Sequence, residues 1–289
     1  MRRRRLGVEL RRLREITGLT GDQVVERVGW ASASKLSRLE NGRSRPDLGD
    51  VLDLLDVYGV NGPAREKLVA VTRDARNTRG WLRSYPVMTQ RQRTYAELEA
   101  GCTEIREFAP AIVPGLLQIR EYARMRIMSS RALADLPAGQ VHPVAPETEV
   151  ATRLARQSLL TRPEAPRYQA VLDESALTGR GGPPQVLRAQ LAHLHELSAL
   201  PNVALRILPR DVAVGDWYLP HTAFSVYRFA DPQDPETVAV EGLAGDLIFT
   251  SAEEIVRYNR LFTWLGEAAL PVEESRDWLA AMSGGPDLR

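Results

Sequence analysis

Seven arginines, Arg2, Arg3, Arg4, Arg5, Arg11, Arg12 and Arg14, crowd into the first fourteen residues and meet one acid there, Glu9. Such a cationic cluster suits a polyanion, because each phosphate contact releases condensed counterions and makes the attraction strongly salt-dependent. A second group, Ser34, Lys35, Ser37 and Arg38, surrounds Leu36 and Leu39 in one short segment. If the two leucines pack inward, the hydroxyl, ammonium and guanidinium groups face out with the length and donors to touch base edges or neighbouring phosphates. Arg43 and Arg45 follow in a turn and are assigned to phosphates. The N-terminal arginines are assigned to phosphates or to the minor groove.

Charge divides the chain. The formal net charge is +1, but residues 1–80 carry 17 basic and 11 acidic side chains, leaving the remainder at −5. A length of 289 residues is about twice that of an average domain and leads us to expect two folding units. Cys102 is the single cysteine, which excludes an intrachain disulfide framework and a thiolate zinc site. No stretch approaches the roughly 18 to 20 apolar residues of a membrane helix, and the first arginines are not followed by an apolar signal core. A cytoplasmic protein without a membrane partner is expected.

Residues suited to catalysis form no pattern. His142, His193, His195 and His221 lack metal-ligand spacing, and His193 and His195, two apart on an expected helix, do not share a face. Asp173 and Glu174 at one strand end and Glu241 after another are either a convergent carboxylate pair or ordinary turn residues. Gly179, Gly181 and Gly182 with Pro183 and Pro184 read as a flexible turn, and Cys102 reads as a small packing residue. Phosphate-loop, dinucleotide-fold, zinc-helix and nucleophile-elbow motifs are missing. The expectation is no catalytic residue, no metal and no cofactor.

The elements that position the basic groups follow from apolar spacing and from breakers. Leu6, Leu10, Leu13 and Ile16 form a stripe on a first helix that ends at Gly18. Thr20 caps a second helix with Val24, Val25 and Val28 inward and Gly29 as its stop. Ser32 is placed to cap a third helix, which ends at Asn41 and Gly42. Pro46 lies near the start of a fourth helix and Pro63 opens a fifth. Two short helices joined by a tight turn can set one in a major groove while the other crosses the backbone.

These residues carry a resemblance. Leu19-Thr20-Gly21-Asp22-Gln23-Val24-Val25-Glu26-Arg27-Val28-Gly29 and Ser34-Lys35-Leu36-Ser37-Arg38-Leu39-Glu40-Asn41-Gly42 are similar to the second and recognition helices of phage-repressor and Cro-like (XRE-type) helix-turn-helix regulators. With Trp30 before a serine-rich helix start and a long second region, the chain resembles the large actinobacterial class whose C-terminal domain has no established activity. The resemblance implies an ion pair between Arg14 and Glu40 and a small protein partner; Trp30, in the turn, reads as a packing plug in preference to a base-stacking group. Gly21 stands where many members carry a polar residue, usually glutamine, so their contact at that place is not expected.

The expected architecture is an all-α, five-helix, repressor-like DNA-binding domain over 1–80, a connector over 81–93, and an α+β regulatory domain with a mixed sheet over 94–289. In the last, Tyr168 to Leu172, a helix opened by Pro184, and Val203 to Leu208 suggest a crossover with parallel pairing. Phe224 to Phe229, Thr237 to Val240 and Asp246 to Phe249 add strands, and a Ser251/Glu254 capping box is expected before the final helices. Asp216, Trp217, Tyr218 and His221, in a loop between strands, are candidate contacts for a ligand or partner. The leading expectation is a sequence-specific regulator that binds double-stranded DNA as a homodimer, its acidic half serving dimerisation, a small-molecule effector or a protein partner. The alternatives are an antitoxin-like interaction component that mainly controls its own operon, and an enzyme tethered to DNA.

Overall fold

A computed structural model describes residues 2–41, 46–77, 89–133, 144–178, 181–218, 221–231, 234–243 and 245–284, with backbone alone for 2–5, 73–77 and 90. The chain divides into two compact units, Met1–Pro86 and Val87–Arg289.

The first unit is helical: α1 (Arg2–Ile16), α2 (Gly21–Val28), α3 (Ala33–Glu40), α4 (Leu48–Val57) and α5 (Gly62–Asn77). Leu6 and Leu10 of α1, Val24 and Val25 of α2, Leu36 and Leu39 of α3, and Val51, Leu54 and Leu55 of α4 form its core. Ile16, which spacing places on the same stripe, is 67% exposed, because the stripe leaves the core in the last turn and Arg14 turns inward there. Thr20 and Gln23 cap α2 reciprocally: the Gln23 amide donates to Thr20 Oγ1 at 3.3 Å and the Thr20 amide to Gln23 Oε1 at 2.9 Å. Ser32 occupies the capping position of α3, but its side chain makes no capping bond. The cap of α4 is Asp47, which accepts from the Gly49 amide at 2.9 Å; Pro46 stands just before it. Gly7 permits a close approach of α1 to the end of α3, since a Cβ there would lie 2.3 Å from the Glu40 carbonyl oxygen and 2.5 Å from that of Leu39.

The second unit is a mixed α+β fold with an open six-stranded sheet. Its strands are β1 (Cys102–Ala109), β2 (Arg167–Asp173), β3 (Val203–Leu208), β4 (Phe224–Phe229), β5 (Thr237–Val240) and β6 (Leu247–Phe249), in the order β3-β2-β1-β4-β5-β6. β1, β2 and β3 are parallel, while β4, β5 and β6 alternate in direction. The helices are α6 (Gln90–Glu99), α7 (Arg120–Leu133), α8 (Pro146–Arg156), a short α9 (Glu174–Leu177), α10 (Pro184–Leu197), α11 (Ala252–Ala268) and α12 (Val272–Gly284).

Alternation along the strands separates two faces. Phe108, Val171, Phe224, Val226, Val238 and Val240 pack with Phe262 and Leu265 of α11 on one of them. Residues one position out of phase, Glu107, Tyr168, Ser225 and Tyr227, belong to the other. β3, β4 and β5 have the bounds expected from the sequence. α6 differs: it begins at Gln90, inside the segment read as a connector, because Thr89 and Gln92 form a capping box. Leu116 and Leu117 lie in a 3-10 turn before α7. The expected Ser251 cap makes no side-chain bond; Glu254 pairs with Arg257 at 2.8 Å instead. Gly181 and Gly182 are packing positions and not merely a turn, since a Cβ on either would press on Leu187 or Met125.

Candidate functional site

The first site is the outer surface of α3. Leu36, Leu39 and Glu40 are buried, whereas Ser34, Ser37 and Arg38 are exposed. Their orientation rests on a clamp at the end of the helix. Arg14 donates through Nε to Glu40 Oε1 at 2.6 Å and through Nη2 to Oε2 at 3.0 Å, and its Nη1 reaches the Leu19 carbonyl at 3.2 Å. One guanidinium thereby ties α1 to the end of α3 and to the turn before α2. The neighbouring Tyr58 hydroxyl is buried without a hydrogen-bond partner among the described residues, and burial first, then the Glu40 charge, push its pKa upward.

Lys35, an expected base contact, already has partners within the protein. Its ammonium pairs with Asp50 at 2.5 Å and lies 4.3 Å from the Trp30 ring centroid, so it joins α3 to α4 across a half-buried indole. Ser37 is partly engaged as well, because Asn41 Nδ2 donates to its carbonyl at 2.8 Å and to its Oγ at 3.3 Å. Gly21 has room for a side chain, its nearest neighbour being Leu36 Cδ2 at 3.9 Å. Arg2, Arg3, Arg4 and Arg5 lie in the first turns of α1, with side chains outside the described residues, as are Arg43 and Arg45 altogether.

In the second unit, Asp216, Trp217, Tyr218 and His221 are all exposed, Trp217 by 83%. Trp217 has a left-handed φ of 58°, as does Gly215 at 55°. Gly215 is required because a Cβ there would stand 2.6 Å from the Trp264 ring. The loop is therefore pinned at Gly215 and carries its aromatic side chain outward. Asp173 and Glu174 do not join Glu241: Asp173 caps the Ser175 amide at 2.8 Å, and Glu174 faces Arg210 at 3.6 Å. His193 lies near Glu196 on α10, and His142 is outside the described residues. Burial pushes the Cys102 thiol up to about 12, leaving it protonated and poorly nucleophilic at neutral pH.

A second polar constellation, missed by hydrophobic patterning, lies on the sheet face opposite α11. On α6, Arg91, Tyr95 and Glu99 recur every four residues and share a face; on α8, Glu149, Arg153 and Arg156, spaced by four and three, also share one. Arg156 and Glu99 form a buried two-pronged pair, with Nε to Oε2 at 2.9 Å. Arg91 holds Asp246 at 2.8 Å and Glu241 at 3.2 Å. Gln92 Nε2 donates to the Glu149 carbonyl at 2.9 Å and joins the two helices. Beneath them the Tyr168 hydroxyl donates to Glu107 Oε2 at 2.6 Å. Desolvation holds the Glu107 carboxyl at about 7, against 4.5 ordinarily, although Tyr168 opposes the shift.

The opposite face carries an open groove of about 560 Å³ bordered by Gln169, Ala204 and Arg206 and by the end of α11. Its cations are already engaged. Arg206 donates to the Gly266 carbonyl at 3.2 Å, and Arg106 binds Glu104 and Asn259, both at 3.0 Å. No described helix is long and apolar enough to cross a membrane.

Comparison with known proteins agrees with the division of the chain. No curated protein and no solved structure matches it. Residues 5–68 match a helix-turn-helix domain, which places α2 and α3 within a fold used for DNA binding and transcriptional regulation. Residues 92–281, about two thirds of the chain, match a domain of unknown function, DUF5753, and the chain belongs to that family.

Proposed function

We propose that the chain is a sequence-specific regulator of transcription that binds double-stranded DNA as a homodimer, with the second unit receiving the signal. The observation that carries this reading is the outer face of α3, where Ser34 and Arg38 stand exposed while Leu36, Leu39 and Glu40 anchor the helix from behind. Ser34 and Arg38 read base edges; Lys35, held by Asp50, supports the recognition helix from within. The Ala33 and Ser34 amides, on a helix without a side-chain cap, supply donors for a backbone phosphate. Arg43, Arg45 and the N-terminal arginines supply further phosphate contacts. One short helix reads few base pairs, and a second copy one helical turn away, about 34 Å, supplies the remaining specificity.

Affinity selection on a randomised operator tests the assignment. Arg38→Ala should relax preference at one defined base pair per half-site by about 1 to 3 kcal/mol, whereas Arg43→Ala should weaken all sequences nearly equally. The same altered preference from both variants would overturn the division between reading and positioning. Genome-wide occupancy tests the role: many dispersed sites are expected, and a single site at its own operon would assign the chain to an autoregulated pair with a small protein partner. Sedimentation of the full chain should give a dimer.

A further inference from the structure

The two edges of the sheet differ in how their outward backbone groups are satisfied. At the β3 edge the chain around the start of α12 takes them: the Ile207 amide donates to Ser275 Oγ at 3.0 Å, and the Leu270 amide donates to the Ile207 carbonyl at 2.9 Å. Ser275 is fully buried there. At the β6 edge the described residues make no such bond. Alternation of the ladder shows which groups β6 leaves open. Opposed residues of an antiparallel pair exchange both hydrogen bonds or none, in turn. The Glu241 amide donates to the Ala223 carbonyl at 3.0 Å, so Glu241 and Ala239 turn toward β4, while Val240 and Val238 turn toward β6. Their partners, Leu247 and Phe249, are thereby committed to β5. The amide and carbonyl of Ile248, between them, point out of the sheet.

The side chains do little to protect this edge. Natural sheets discourage edge pairing with short strands, lysine, proline or a bulge. β6 has the first of these, at three residues, but Leu247, Ile248 and Phe249 supply neither charge nor proline, and their register with β5 is unbroken. Leu247 and Phe249 share the α11 face with Val240 and Val238; Phe249 packs on the core, whereas Leu247 is 59% exposed. Symmetry decides what fits. A two-fold axis through Ile248 sets β6 antiparallel to the β6 of a second copy, and the two Ile248 residues then exchange both hydrogen bonds. In that register Leu247 of each copy stands opposite Phe249 of the other, at the closely spaced position where cross-strand side chains meet best. Asp246 stands opposite Thr250, a carboxylate against a hydroxyl. Asp246 is the one charged residue from 246 to 250, and Arg91 neutralises it at 2.8 Å, so no like charges oppose each other. The segment is thus its own complement.

We propose that β6 is a self-pairing edge, through which two copies of the chain join their second units into one continuous sheet with both α11 helices on the same face. As the dimer that occupies an operator it rests on the regulator reading above; as an interface it is read without DNA, so the two fail separately. A contact built on three-residue edges belongs at the small end of specific interfaces, below about 1,200 Å² in total, and should dissociate on dilution. Sedimentation of the full chain from about 1 to 100 μM should therefore pass from monomer to dimer.

Ile248→Pro removes the outward amide and spares the bonds of Leu247 and Phe249 to β5, the arrangement in which an edge strand tolerates proline. It should weaken dimerisation at least tenfold. Leu247→Lys alters an exposed side chain, so it should keep the wild-type melting temperature while setting an ammonium against Phe249 of the second copy; a loss of at least tenfold is expected again, and this variant carries the test if the proline variant does not fold. Ile248→Cys should form an interchain disulfide on mild oxidation, because the two opposed residues lie about 5.5 Å apart between Cα atoms. Leu243→Cys, more exposed at 94% but outside the pairing, should cross-link far more slowly, and the native Cys102 is buried. A chain that stays monomeric over the whole range, or one whose β6 amides are covered by a different protein, overturns the proposal. So does wild-type dimerisation in Leu247→Lys, or cross-linking of Leu243→Cys as fast as that of Ile248→Cys.

Discussion

The ion pair between Arg14 and Glu40 sets the seat of the recognition helix, and its removal has a calculable cost. Its side chains retain 16% and 8% of their exposure, and both oxygens of the carboxylate are engaged by one planar guanidinium. Breaking a buried pair from one side costs about 3 to 5 kcal/mol, because the surviving charge stays desolvated without its partner. Arg14 lies nearer the rim and can draw some water, so Arg14→Met should fall at the lower end, about 3 kcal/mol. Glu40→Gln retains an acceptor and leaves Arg14 its bond to the Leu19 carbonyl, which reduces the expected cost to about 2 kcal/mol. Replacing both, by Met and Leu, removes the charges together and should cost no more than the worse single change. The double-mutant cycle should then return a coupling of about 2 to 3 kcal/mol. Because the chain has two units, global melting is the wrong observable; hydrogen exchange on peptides spanning α1 to α3 reports the local opening energy. Additive single costs below about 1 kcal/mol would refute the reasoning and class the pair with exposed ion pairs.

Four further outcomes are expected. Gly7→Ala should loosen α1 from α3 by about 1 to 3 kcal/mol or more, since its Cβ would meet the Glu40 carbonyl oxygen at 2.3 Å; hydrogen exchange in α3 but not in β1 or β2 should rise. Glu107 has a folded pKa of about 7 above an ordinary 4.5, so its contribution is fully present below 4.5 and is lost as pH rises to 7; Glu107→Gln should remove that slope and stabilise the second unit at alkaline pH by on the order of 3 kcal/mol, whereas an equal loss at acidic and alkaline pH in urea titrations would contradict it. Gly215→Ala, which combines a φ of 55° with a 2.6 Å approach to Trp264, should destabilise the second unit by about 1 to 3 kcal/mol in the same urea assay and lower the protection of α11. The logarithm of DNA affinity should fall linearly and steeply with that of salt concentration, and a flat plot across about 50 to 200 mM would remove phosphate neutralisation from the binding mechanism.

What could be read from the sequence and what could not divide along a physical line. α2 and α3 were legible because their buried faces are apolar and their stops are glycine or asparagine, so the exposed Ser34 and Arg38 follow by subtraction. The buried alternation of β3, and Val238 and Val240 two apart in β5, announced those strands in the same way. Lys35 escaped because its neutralising partner, Asp50, lies on another helix and no periodicity reports a tertiary ion pair. The start of α6, read as connector, escaped for a stronger reason: its inward face includes the buried Gln92, and a method that equates apolar with buried assigns such a segment to solvent or to a linker.

The same inversion governs the whole polar constellation. A recognition surface on a convex helix needs one contiguous segment, and its residues are adjacent in the chain. A polar constellation draws on several elements, and here Arg91, Glu107, Arg153, Tyr168 and Glu241 come from two helices, two strands and a strand exit spread over the second unit. Their local spacing still carried a signal. Arg91, Tyr95 and Glu99 at four-residue intervals, and Glu149, Arg153 and Arg156 at four and three, are polar stripes with helical period. On a solvated helix a polar stripe needs no such regularity of charged and aromatic groups, because water satisfies every position alike. Two such stripes, each ending in one member of the buried Glu99 and Arg156 pair, mark faces that look at each other across a shared interior.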